Sequence, residues 1–119
     1  MSNLDSRRIA FIVLLFSVVF NSIGQIFFKA TRIAHPTDSI FSLFYYVETW
    51  AGLILYAISA LCWLWVLSRV QLSYAYPVLS LSFPIVVGLS AILFSEAISP
   101  LRWIGVVTIV IGVSLIART

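Results

Sequence analysis

The sequence predicts an all-α protein built as an integral membrane four-helix bundle, a single membrane domain over residues 1–119. Three observations predict it. Of the 119 residues, 62 % are hydrophobic and 9 % charged, with a mean hydropathy of +1.13. A soluble domain of this size cannot hide so much apolar surface. The apolar residues also fall into four runs, each close to the roughly 20 residues that a helix needs to cross hydrocarbon. Finally, no Asp, Glu, Lys or Arg falls deep inside any run.

The first span is expected over about residues 9–29, from Ile9 through Phe28 to Lys29. Arg7 and Arg8 before an apolar run imitate a signal peptide. The run exceeds an h-region of about 7–15 residues and lacks a small-residue cleavage site, so it reads as a span of the mature protein. The second span, about 50–67, lies between Glu48 and Arg69. The third, about 72–95, ends beside Glu96. The fourth, about 100–117, has Ser99 as N-cap, Pro100 at the first helical position and Arg102 able to snorkel outward. The stretch 40–47, Ile-Phe-Ser-Leu-Phe-Tyr-Tyr-Val, is too short to cross alone. It is open to two readings, a short interfacial helix or an outward extension of the second span.

Orientation follows from Lys and Arg in the short loops. Arg7, Arg8, Arg69 and Arg118 fall on one side; Lys29, Arg32 and Arg102 fall on the other. The excess of one favours cytoplasmic termini. So small a difference also admits insertion both ways round, and with it an antiparallel pair. A chain this small offers little room for a private substrate cavity, and pairing creates one at the interface.

Ser17, Asn21, Gln25 and Lys29 recur at intervals of four on the first span and wind slowly around one face. Polar groups in hydrocarbon are costly unless they face protein, water or ligand. They are candidate lining of a substrate groove, with Lys29 at the membrane edge placed to hold an anionic headgroup. Equally open are interhelical hydrogen bonds for the amides and an ordinary snorkelling end for Lys29. Gly24 on the flank lets a second backbone approach. In the third span Pro77 and Pro84 each remove a backbone donor and predict a bend. Tyr76 and Ser80, one turn apart, offer hydroxyls to a phosphate or sugar, or bond within the helix. In the fourth span Gly105, Thr108 and Gly112 form a small-residue face, a candidate dimer contact. Tyr56, Trp63 and Trp65 of the second span fit an interface belt, with substrate stacking the less favoured reading.

Enzymatic chemistry finds no footing. The four acids Asp5, Asp38, Glu48 and Glu96 sit at span edges or in loops. There is no Ser/His/Asp set, no glycine-rich phosphate loop and no metal spacing, so no catalytic residue, metal or cofactor is expected. Cys62 reads as a small apolar residue within a span and His35 as a surface residue beside Pro36. Seven basic residues scattered between spans are not a nucleic-acid patch.

From about Phe11 to Ala117 the chain resembles the small multidrug resistance family of the drug/metabolite transporter superfamily. The likeness rests on four short spans, Asn21-Ser-Ile-Gly24 with Lys29, Ala75-Tyr76, and Gly105 with Gly112. It implies an antiparallel two-fold dimer, homomeric or heteromeric. The drug-exporting branch carries a membrane-embedded Glu where this chain has Asn21, and a Trp where it has Leu79. Without that Glu, proton-coupled export loses its usual binding and coupling group. The chain is more similar to flippase subunits that move aminoarabinose-linked undecaprenyl phosphate across the bacterial inner membrane. Gly24-Gln25 with Lys29, the run Ala75 to Phe83, and Phe94-Ser-Glu96 with Ser99, Trp103 and Gly105 carry that likeness.

The resulting expectation is a multi-pass protein of the bacterial inner membrane that translocates an anionic amphiphile, such as a polyprenyl-phosphate-linked sugar. Its partners would be that lipid, the surrounding membrane lipids, and a second copy or a related small subunit. Two alternatives stand beside it. One is a proton-coupled exporter of quaternary ammonium drugs using Glu48 or Glu96. The other is a regulatory membrane subunit that transports nothing.

Overall fold

The structure, a computed structural model, describes residues 3–119. Five helices follow in order: α1 (Asn3–Ala34), α2 (Val47–Leu67), α3 (Leu72–Leu79), α4 (Ser82–Leu93) and α5 (Pro100–Ala117), with a 3-10 turn at Phe41–Tyr45 before α2. No strand occurs among the described residues. By length and composition α1, α2, α3 with α4, and α5 are four elements able to cross a membrane.

Helix α1 is longer at both ends than the 9–29 span. At 1.5 Å per residue its 32 residues reach about 48 Å, against a hydrocarbon thickness of about 30 Å. Nothing in the sequence breaks the helix until Pro36, which disfavours helical backbone at His35, and Arg32 in the last turn complements the dipole. Lys29 therefore lies within the helix and not at its end. Helix α2 starts at Val47, with Glu48 in its first turn. Tyr46 is extended there (φ −101°, ψ 138°), so the 3-10 turn is a separate piece and not a prolongation of α2. The loop before it is held by Arg32 Nη1 donating to the Asp38 carbonyl at 2.7 Å and by His35 stacking on Tyr46 at 3.5 Å. The Tyr46 hydroxyl donates to Asp38 Oδ2, and that bond raises the Tyr46 pKa.

The third span is not one helix. Pro84 has no N–H to give the Ser80 carbonyl, which accepts from Phe83 in a tighter turn at 3.0 Å. The Ser80 hydroxyl turns back onto the Pro77 carbonyl. The chain is thus broken between Leu79 and Ser82, and α4 ends at Leu93, before Ser95 takes a left-handed backbone (φ 53°). Helix α5 is capped as its sequence predicts. Ser99 Oγ accepts the Arg102 N–H at 3.2 Å, and Pro100 begins the helix.

Helices α1 and α2 form the main packed pair. They cross where Gly24 and Gly52 face each other, and a Cβ on Gly24 would sit 3.0 Å from the Gly52 carbonyl oxygen. Further along, Ser17 and Ser59 close a reciprocal ring. Ser17 Oγ donates to the Ser59 carbonyl at 2.9 Å, and Ser59 Oγ donates to the Ser17 carbonyl at 2.8 Å. Leu14, Val66, Ala75, Val78 and Val113 make the buried core, which gathers all four spans at the end where α1 begins and α5 finishes. The whole measures 51 × 34 × 18 Å. Its short dimension is under two helix diameters of about 10 Å each. The bundle is flat, and a cavity between its helices stays open on one side.

Candidate functional site

Past the core, α1 and α2 continue as a pair while the third span, beyond its Ser80–Leu81 break, runs on as α4 against α1 and leaves α2. The gap this leaves is a cavity of about 400 Å³ lined from α1 by Asn21 and Gln25, from α2 by Tyr56, and from the broken span chiefly by Tyr76, Leu79 and Ser80. A smaller hollow of about 230 Å³ continues it toward the core, sharing Asn21, Tyr56, Tyr76 and Leu79 and adding Ser17, Ser59 and Trp63. Together they make one polar-floored groove with aromatic walls. Trp63 meets the Tyr76 ring edge-on, centroids 6.0 Å apart.

The side-chain amides of Asn21 and Gln25 make no hydrogen bond among the described residues. Each offers two donors and an acceptor. Left unbonded in hydrocarbon they would be strongly unfavourable, so they call for partners outside the described chain, whether water, a polar guest or a second subunit. The Ser80 hydroxyl donates inward to Pro77, which leaves its oxygen able to accept a further bond. The Tyr56 and Tyr76 side chains are exposed, Tyr76 to 64 %. The groove carries no formal charge.

Of the six candidate binding residues, the structure brings Asn21, Gln25, Tyr76 and Ser80 around one cavity. Ser17 borders only the smaller hollow, is fully buried, and has its hydroxyl engaged by Ser59. Lys29 does not line the groove. Its ammonium lies 3.8 Å from Glu96 Oε1, tying α1 to the linker before α5, with both side chains well exposed. Exposed pairs of this kind contribute little to stability. Gly105, Thr108 and Gly112 lie on the outer helix. A Cβ added at either glycine would meet nothing within 4 Å, and Thr108 Oγ1 donates to its own helix at the Ile104 carbonyl. Within one chain that face packs against no neighbour. The sequence favours an interface belt over substrate stacking for Tyr56 and Trp63, and the structure places both on the groove wall. The signal was there, because Tyr56, Ser59 and Trp63 recur at three and four residues along α2 and so share a face.

An open, uncharged polar groove inside a bundle of apolar helices defines a membrane transporter in form. Residues 1–118 match the EamA-like transporter family, and the chain belongs to that family. It is a multi-pass membrane protein.

Relatives among curated proteins carry a narrower description. A Photorhabdus laumondii protein named "Probable 4-amino-4-deoxy-L-arabinose-phosphoundecaprenol flippase subunit ArnF" is 45 % identical over 74 residues, covering 60 % of this chain and 59 % of that protein. A Pseudomonas fluorescens protein bearing the same name with subunit ArnE is 38 % identical over 71 residues, 58 % of this chain and 62 % of the relative. An ArnF of Proteus mirabilis is 42 % identical over 69 residues, 56 % of this chain and 52 % of the relative. The aligned part thus spans about three-fifths of the length of the first two of these relatives. No solved structure matches.

Proposed function

We propose that this protein is a subunit of a flippase that carries the polar headgroup of an anionic lipid across the bacterial inner membrane, a polyprenyl-phosphate-linked sugar being the substrate class. One observation carries the reading: Asn21 and Gln25 hold unbonded amides over an open groove at hydrocarbon depth. A lipid tail stays in the bilayer while its headgroup crosses, so the protein needs only a polar track and no closed chamber. Sugar hydroxyls exchange bonds with neutral amides and phenols, and the phosphate accepts from the same donors. Tyr56, Trp63 and Tyr76 supply flat walls for a sugar ring. Lys29, beyond the cavity, acts at the exit, where exchange of Glu96 for a phosphate would cost little because the pair is exposed.

The relatives' names designate subunits and support a paired assembly. The flat shape and the unpacked Gly105–Gly112 face of α5 fit an antiparallel partner, as the likeness to small multidrug resistance proteins implies. Whether the partner is a copy or a related chain, it would wall the open side of the groove. Cytoplasmic termini agree with the small excess of Arg on that side. No Asp, Glu, His, Lys or Arg lines the groove, so transport here need not be driven by protons, and consumption of the lipid on the far side can pull it. Glu48 and Glu96, on which a proton-coupled drug exporter would depend, both lie outside the lining of the groove.

The test is reconstitution of the purified chain, alone and with a related small subunit, in vesicles holding an undecaprenyl-phosphate sugar. Headgroup appearance in the opposite leaflet, faster than in empty vesicles, is expected. Proton release on adding a quaternary ammonium, with no lipid movement, would favour the drug exporter. No activity in either assay would favour a regulatory subunit.

A further inference from the structure

At the opposite end of the core from the groove, α1, the α2–α3 turn and the end of α5 enclose a separate cavity of about 650 Å³. Ser6, Arg7, Arg69, Gln71, Ser73 and Tyr74 supply its polar lining. Both guanidiniums are set by aromatic rings. Arg7 lies 4.7 Å over Tyr74 and donates to the main-chain oxygen of Thr119 at 2.9 Å, while Arg69 lies 5.0 Å over Trp65. A guanidinium has five N–H donors, so each keeps donors for a guest. Arg8 and Arg118 add charge at the same end, where Asp5 is the one acidic side chain by position in the chain. An apolar trough of about 420 Å³ adjoins this cavity, sharing Arg7 and Tyr74 and running along Leu4, Phe11 and Ile12.

We propose that these two adjoining hollows form a docking site for a phosphate-bearing lipid at the membrane surface, with the phosphate between Arg7 and Arg69 and the first part of the tail in the Leu4–Ile12 trough. Charge complementarity selects the head, because Arg presents a planar fork to phosphate oxygens. The adjoining trough distinguishes a lipid from free phosphate. Ile12, half-exposed at 53 %, is its open wall. Arg7 lies 14 residues before Asn21, about 21 Å along the helix, so the site is separate from the groove. It goes beyond the proposed function by giving a place where an anionic lipid is held before its headgroup moves.

The experiment measures equilibrium binding of dioleoyl phosphatidic acid to the full chain in phosphatidylcholine nanodiscs, with inorganic phosphate as a second probe. Because binding is read without transport, a chain that flips nothing still tests the site, and a flipping chain with no site here is equally recognisable. Replacing both Arg7→Gln and Arg69→Gln should weaken phosphatidic acid binding about tenfold or more, with Arg7→Lys and Arg69→Lys retaining part of it. Ile12→Ser should weaken phosphatidic acid binding several-fold and leave inorganic phosphate unchanged. Arg102→Gln, at the other end of the bundle, should change neither. Unaltered helix content by circular dichroism separates these effects from misfolding. The proposal is overturned if the double Gln variant binds phosphatidic acid like the wild type, if Arg102→Gln loses as much, or if inorganic phosphate binds as tightly as the lipid.

Discussion

Replacing Asn21 and Gln25 together by Ala is expected to slow headgroup translocation by roughly two orders of magnitude. Each amide removed takes away a hydrogen bond to a charged or polar headgroup inside the groove. Bonds of this kind are worth about 1.5 kcal/mol or more each, and each 1.36 kcal/mol added to a barrier is about tenfold in rate. Folding should be little affected, because neither amide bonds to another part of the described chain. Thermal unfolding in detergent should therefore stay close to wild type while lipid movement in vesicles collapses. The single variants should each lose about tenfold if the amides act in turn along one track. A double variant that flips at the wild-type rate removes the groove from the mechanism.

Gly52→Leu is expected to have the largest effect on the fold. A Cβ at residue 52 would lie 2.7 Å from the Phe28 ring and 3.0 Å from the Gly24 carbonyl oxygen. The ring can swing aside, but the carbonyl is backbone and can move only with α1. Forcing extra carbons into a packed contact costs about 1–3 kcal/mol even where the neighbours adapt, and here the two helices themselves must part. That opens the crossing beside Gln25 and shifts the Ser17–Ser59 ring farther along. Loss of the folded monomer on heating in detergent, well below the wild-type midpoint, is the expected reading. Gly105→Leu should leave the midpoint of the isolated chain nearly unchanged, because nothing lies within 4 Å of a Cβ there.

The fold class was legible because hydrocarbon leaves few solutions. Four apolar runs without buried charge can only be helices of a bundle, and Ser99-Pro100 marks the start of the last one. Helix ends were less legible. The sequence shows where apolar residues stop, but α1 continues past Lys29 until Pro36, because helical backbone does not end where hydropathy does. The two prolines announced a bend, yet its effect was not readable from the sequence. The break at Ser80–Leu81 lets α4 follow α1 while it leaves α2, and so opens the gap above the core.

The polar residues of α1 divide in a way that spacing alone cannot give. Ser17, Asn21 and Gln25 recur every fourth residue, but only Ser17 finds a partner across the helix pair, because Ser59 stands opposite it. At the next turns α2 presents Tyr56, whose hydroxyl bonds to neither amide, and then Gly52, which has no side chain to offer. Lys29 sits on the same stripe and is taken by Glu96, sixty-seven residues on, a pairing set by how the linker before α5 returns. Tyr56 and Trp63 looked like belt residues because their neighbours across the groove come from the far side of the broken span.

Thiol labelling tests most directly whether the polar seam of α1 borders an open passage. In a Cys62→Ser background, Gln25→Cys and Ser80→Cys are each exposed to a charged, membrane-impermeant methanethiosulfonate in intact vesicles. A thiol reacts only where water reaches it and lets it ionise. Labelling at both positions, slowed by added lipid-linked sugar, is the predicted result, with Ile111→Cys on the outer face of α5 staying unlabelled. Unreactive thiols at both 25 and 80 in folded protein would contradict it.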